Sequence, residues 1–260
     1  MSKLFTTPTN LIAKPISIVV IGAGGTGSNL LNLLFQQDYL LRSITDGQIY
    51  FDVTVFDDDV VSHTNIGRQA FWGCDLGVSK AEILVNRYNV HGNLNWQYYN
   101  ERVTKDNIQK LKHADVVITC VDKAKVRAEI GECFNSSMSS LYNKDMLWID
   151  AGNNKSAGQV IIGHCLPQAN KLPNVYDLYP ELSEIVDIEE DSCSHAAALE
   201  RQTFGINQKV ALEATGLLWS LIREGGLDNH GSYIDMEQGT VKPLKIDPMN
   251  WAILGYTATA

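Results

Sequence analysis

ISIVVIGAGGTGS, residues 16–28, decides the fold. The apolar run Ile16–Ile21 leads straight into Gly22-Ala23-Gly24-Gly25-Thr26-Gly27, and a helical pattern follows without a break. A strand, a glycine turn and a helix N-terminus make a phosphate cradle. The glycines turn tightly and let the backbone approach a ligand, while unpaired N–H groups and the positive end of the helix dipole face an anion. A nucleotide is therefore the first expectation. The same letters satisfy the dinucleotide pattern G-x-G-x-x-G, so the turn alone leaves both the nucleotide and the reaction open.

Outward from that turn, apolar strand-like runs alternate with amphipathic helical ones. The pattern predicts strands at 16–21, 49–57, 95–99, 115–120 and 146–151, with helices at 27–37, 77–88, 105–111 and 125–138 between them. This is the rhythm of a Rossmann-like, mostly parallel α/β sheet flanked by helices. After Gly152 the pattern changes. A strand at 158–164 precedes residues 167–191, which carry prolines, acids and little periodicity and are long for a connection. A long helix over 203–223 then leads through Gly225-Gly226 to strands at 232–235 and 241–246, an antiparallel C-terminal extension. We read 1–260 as a single domain, with residues 1–151 as its nucleotide-binding half and 152–260 as crossover, long helix and terminal strands.

Composition limits the alternatives. The chain has 260 residues, 45% of them apolar, which suffices for one large core. A net charge of −9 argues against a nucleic-acid or anionic-membrane surface, so any anion site must be local. No window reaches the twenty or so apolar residues of a membrane span, and residues 1–10 lack a signal-peptide pattern. A cytoplasmic protein is expected. The five cysteines are odd in number and widely spread, which suits free thiols, and no C-x-x-C pair encodes a zinc ribbon. The six histidines show no metal-ligand spacing.

The chemistry sits past the second predicted strand. Asp57-Asp58-Asp59 ends it, Asn65-Ile66-Gly67-Arg68-Gln69 follows, and Lys80 stands near the start of the next helix. In a doubly wound sheet, ligands lie outside the carboxyl ends of the strands, so the glycine turn, Asp57 and Asp122 can converge there. Asp57 suits ribose hydroxyls, while Arg68 and Lys80 suit phosphate oxygens. A second carboxylate against a phosphate is useful when a magnesium ion bridges the two, which gives Asp122 a role as metal holder. Asp58 and Asp59 read as a solvated strand end, and Asp122 suits helix capping equally well.

These linked stretches resemble the ThiF/MoeB/HesA family, the ubiquitin-activating-type adenylyltransferases. GAGGTG, VFDDDVVSHTNIGRQ, GVSKAE and CVDKAKVR look like that family's nucleotide turn, its D-x-D-x-V-x-x-S-N-x-x-R-Q element with Thr64 in place of serine, its G-x-x-K-x-E helix start and its C-x-D-x-x-x-x-R element. The likeness is close over 16–151 and looser over 192–223. It implies that Gly22, Gly24, Gly25 and Gly27 cradle ATP, that Asp57 holds the ribose, that Asn65, Arg68 and Lys80 hold phosphates, and that Asp122 holds Mg2+, with Arg127 assisting. It also implies adenylation of the C-terminal carboxylate of a ubiquitin-fold partner ending in Gly-Gly, and a homodimer. In the ThiF branch a reactive cysteine lies before the long helix, a setting similar to that of Cys193, which is otherwise readable as an incidental thiol beside a helix start. DSCSHAAALERQTFGINQKVALEATGLLWSLI resembles ThiF-like proteins of the PRTRC system. Two departures stand out: the first arginine is Arg42, so no N-terminal arginine serves the phosphates, and the family's paired C-x-x-C is missing. Two other classes compete: a NAD- or FAD-dependent oxidoreductase, and a non-catalytic module that docks a ubiquitin-like protein. Arg68, Lys80 and Asp122 separate the first from an ATP–magnesium site.

Overall fold

The computed structural model describes residues 3–136, 142–185 and 202–257. In chain order its elements are β1 (Phe5–Thr6), β2 (Ile16–Ile21), α1 (Gly25–Ile44), β3 (Phe51–Phe56), α2 (Lys80–Gly92), β4 (Gln97–Tyr99), β5 (Val116–Thr119) and α3 (Ala124–Phe134). Then follow β6 (Leu147–Asn153), β7 (Ala157–His164), the single turn α4 (Val175–Leu178), α5 (Ile206–Glu224), β8 (Gly226–Leu227), β9 (Asn229–Asp235), β10 (Thr240–Lys245) and α6 (Pro248–Ile253).

Eight strands form one sheet in the order β10-β9-β7-β6-β5-β2-β3-β4. The pairs β2–β3, β3–β4, β2–β5 and β5–β6 are parallel, whereas β6–β7, β7–β9 and β9–β10 are antiparallel. The expected parallel half and antiparallel extension are both present. The central strand is covered on both faces, and its side chains divide accordingly. Ile16, Ile18 and Val20 join a core with Leu30, Leu31 and Leu34 of α1 and Val210, Ala214 and Leu218 of α5. Val19 and Ile21 join the other core, with Ala128 and Phe134 of α3 and Trp148 of β6.

Several elements differ from expectation. Helix α1 runs to Ile44 because Leu41 continues its buried stripe, and its Thr45 cap closes on Leu41. Residues 167–185 are not featureless. Asn174 caps α4 by accepting from Tyr176 and Asp177 N–H groups, and a 3-10 turn follows at Pro180–Ser183. The end of the helix expected over 125–138 lies partly outside the described residues. A clasp of β1 on β8 and the final helix α6 were not anticipated. Among the described residues no helix is long and apolar enough to cross a membrane.

Helix α6 locks a buried histidine. Its Trp251 Nε1–H donates to His230 Nε2 at 2.8 Å, which leaves Nδ1 to carry the proton that bonds the Ile162 carbonyl at 2.9 Å. Burial holds the His230 ring at about 4, below its ordinary range. The unfolded chain therefore takes up this proton first, so stability present above about pH 6.5 is lost as the pH falls towards 4. For this one ring the loss is roughly 3 kcal/mol. We expect the urea midpoint to drop between neutral pH and about pH 4.5, and His230→Gln to remove part of that dependence, since burial also lowers the His164 ring to about 4.

Candidate functional site

The chain runs outward from β2 to β3 and β4 on one side, then returns to β5 and β6 on the other. Such a reversal opens a crevice outside the carboxyl ends of the strands. A cleft of about 370 Å³ lies there. Its lining includes Gly22, Gly24 and Gly25 after β2, Asp57, Asp58 and Asp59 after β3, and Asp122 after β5, together with Arg68 and Lys80. Ile21, Phe56 and Val103 belong to one apolar cluster against which Val121 and Val126 pack, and all five line the cleft. They give it an apolar wall suited to a flat heterocycle.

Gly22 takes φ +95°, and a Cβ there would lie 2.8 Å from the Cys120 carbonyl. By contrast a Cβ on Gly24 would meet nothing nearer than Gln69 Nε2 at 3.9 Å, so this face of the turn is open. Helix α1 begins here with no side-chain cap and no acid in its first turn, which leaves its N–H groups to an anion. Gly27 does not line the cleft. It lets α1 cross the turn, because a Cβ there would lie 1.9 Å from the Gly22 carbonyl oxygen. Gly27→Ala is expected to cost about 3 kcal/mol or more, read as a lowered urea midpoint.

Asp57 anchors the turn. Its Oδ2 accepts the Ala23 N–H at 2.6 Å and its Oδ1 accepts the Asp59 N–H at 2.9 Å. Burial pushes its carboxyl upward, against those two N–H bonds and the charge of Lys80. Lys80, buried at the start of α2, donates from Nζ to Asp59 Oδ2 at 2.7 Å. Asp58 pairs with Arg102 at 3.2 Å. The two acids expected merely to be solvated thus hold cations at the cleft while staying exposed. Arg68 Nε donates to the Thr64 carbonyl at 3.2 Å, and its Nη1 lies 3.5 Å from Gln202 Oε1.

Asp122 is exposed at the cleft and is not the cap of α3, whose cap position is Lys123. Among the described residues no group of three or more His, Cys, Asp or Glu side chains is placed to hold a metal. A lone carboxylate fits Mg2+, which keeps waters and completes its shell from substrate phosphates. Asn65 stands apart from the cleft lining: it is buried and its Oδ1 accepts the Ser62 N–H at 2.9 Å, closing a 3-10 turn that shapes the loop before Arg68. Cys193 lies outside the described residues.

Behind the cleft wall is a buried ion pair. Arg127 Nε donates to Asp150 Oδ1 at 2.8 Å and its Nη2 donates to the Val121 carbonyl at 2.6 Å, one residue before Asp122. Gly152 leaves the room for it, since a Cβ there would stand 2.9 Å from Nη2. Asp150 Oδ1 also accepts the Thr119 hydroxyl at 2.6 Å, whereas its Oδ2 is buried without a hydrogen-bond partner.

Sequence reasoning gave no role to a set of carboxamides. Gln69, Asn153, Gln202 and Asn207 all line the cleft, and Gln69 Oε1 is buried without a partner. A signal existed for two of them. Asn153 ends β6 on the carboxyl edge of the sheet, and Asn207 interrupts the apolar stripe Val210, Ala211, Ala214 at helical spacing.

Comparison with known proteins agrees with this architecture. Ubiquitin-like modifier-activating enzyme 5 from Xenopus laevis is 24% identical over 165 residues, covering 58% of this chain and 36% of that protein. Its Gallus gallus counterpart is 22% identical over the same extent. The matched stretch thus spans little more than a third of these relatives. Among solved structures, E. coli MccB with ATP superposes with a TM-score of 0.61 at 15% identity, covering 90% of this chain and 64% of that one. PaaA gives 0.60 at 12%, covering 89% and 64%. At such identities the likeness speaks for the fold. The ThiF family pattern matches residues 9–242, and the chain belongs to the ThiF family.

Proposed function

We propose that this chain is an ATP-dependent adenylyltransferase that activates the C-terminal carboxylate of a protein or peptide, with a ubiquitin-fold protein ending in Gly-Gly as its substrate. The observation that carries this reading is the meeting of Arg68, Lys80 and Asp122 in one cleft with Gly22, Gly24 and Gly25. Family membership and the enzyme 5 relatives support the same chemistry. In the reaction a carboxylate oxygen of the substrate attacks the α-phosphorus of ATP. The bond to the β-phosphate bridging oxygen breaks, giving an acyl adenylate and pyrophosphate.

Such a reaction needs charge neutralisation and in-line positioning more than an acid–base pair. The first turn of α1 offers N–H groups to the phosphates, and Arg68 and Lys80 offer cations. For Lys80 this means exchanging its Asp59 partner for a phosphate, a low-cost change because the Asp59 side chain is 60% exposed. Asp57 fixes the turn and faces the ribose. Asp122 would hold Mg2+, which when bound neutralises charge developing on the phosphate oxygens. Transfer of the acyl group to Cys193, action in the cytoplasm and assembly as a homodimer complete the proposal. Calorimetry with Mg-ATP and with NAD separates the classes: uptake of Mg-ATP supports the adenylyltransferase, and uptake of NAD instead overturns it. Pyrophosphate exchange that requires a Gly-Gly-terminated protein excludes a docking module.

A further inference from the structure

Helix α5 places Asn207 in its first turn, 5% exposed, with its carboxamide at the cleft. Three parts of the site meet on that group. Its Oδ1 lies 3.3 Å from the Thr26 hydroxyl, and its Nδ2 donates to Gln202 Oε1 at 3.0 Å and, more weakly, to the Arg68 main-chain carbonyl at 3.4 Å. The carboxamide also fills the space that a side chain on Gly25 would need, 2.7 Å from its Cβ position. Thr26 gives its shorter bond, 2.8 Å, to Asn153 at the end of β6. One small network therefore ties the first turn of α1, the Arg68 loop, β6 and the start of α5.

We propose that Asn207 is a positioning residue for nucleotide binding, setting the separation between the Gly25-Thr26 turn and the Arg68 loop. This rests on the nucleotide reading above. The α1 N-terminus and the Arg68 guanidinium both carry positive charge, so a link between them has to hold them close without cancelling the field that attracts a polyphosphate. A carboxamide meets both demands, since it donates and accepts while staying neutral. A carboxylate of the same shape meets neither: it sets a negative oxygen against the Arg68 carbonyl and Gln202 Oε1, and it opposes the incoming phosphates.

The test is calorimetric titration of the full chain with Mg-ATP, using Asn207→Asp and Asn207→Ala, each compared with wild type at the same pH. At about pH 8 the Asp variant is expected to bind about tenfold more weakly or worse. Near pH 5 it should regain part of that binding, because burial raises the introduced carboxyl towards that range and protonation restores a donor. Among the described residues the charged side chain in this network is that of Arg68, whose guanidinium stays protonated throughout. Asn207→Ala should lose about tenfold at both pH values. Binding by the Asp variant within about twofold of wild type at both pH values would overturn the proposal. So would an equal loss at both that tracks a lowered melting temperature, because Asn207 would then serve packing alone. Failure of wild type to take up Mg-ATP overturns the nucleotide reading and this proposal with it; uptake by wild type with an unaffected Asp variant overturns only this proposal.

Discussion

Asp122→Ala is expected to lower substrate-dependent pyrophosphate exchange by at least about a thousandfold while leaving the fold intact. The side chain is exposed and caps no helix, so its removal opens no cavity and strands no buried group. Its expected loss is confined to the charge it brings to the cleft. Lys80→Met and Arg68→Ala should reduce exchange on a similar scale by removing the cations that face the phosphates. For Lys80 the abandoned partner, Asp59, is mostly solvated, so the stability cost stays small. Cys193→Ala should spare exchange and block only a later thioester or persulfide step. Loss of exchange in that variant would refute a downstream role for the thiol. Circular dichroism melts run beside the kinetics separate lost chemistry from lost structure.

Arg127→Met should instead damage the fold. Asp150 is fully buried, and the variant would leave its carboxylate with only the Thr119 hydroxyl while orphaning the Val121 carbonyl. Removing one member of a buried pair costs about 3–5 kcal/mol, a large share of the stability of an ordinary domain. Urea unfolding should register it directly. Adding Asp150→Asn to Arg127→Met removes the stranded charge, and the double variant is expected to regain much of the loss. A double variant no more stable than Arg127→Met would show that the Val121 carbonyl, not the carboxylate, dominates.

The parts of the molecule legible in its sequence are those where local pattern and tertiary role coincide. β2, the glycine turn and α1 are such a case, because a strand buried on both faces reads as an apolar run and the turn needs glycine at Gly22 for its backbone and at Gly27 for its clearance. Strand ends and spacing point to Asp57, Arg68, Lys80 and Asp122, and all four line the cleft. What stayed hidden depends on partners distant in sequence. Asn207 acquires meaning only when α5 packs its start against Gly25, some 180 residues earlier. β1 is two residues long and exists only by pairing with β8. Helix α6 carried a local signal, Asp247 capping with Pro248 next, yet its six residues are too few for periodicity to show. The motif assigns Asn65 to phosphate, and in the fold its Oδ1 accepts the Ser62 N–H of its own loop.

The strand at one edge of the sheet, β10, reads TVKPLK and, among the described residues, leaves one side of its backbone without a neighbour. Such a margin invites another chain to add a strand, and fibrils grow that way. Pro243 removes one amide donor from this border, and Lys242 and Lys245 would set like charges against each other if two borders approached. Edge-to-edge polymerisation is therefore discouraged at this end of the molecule.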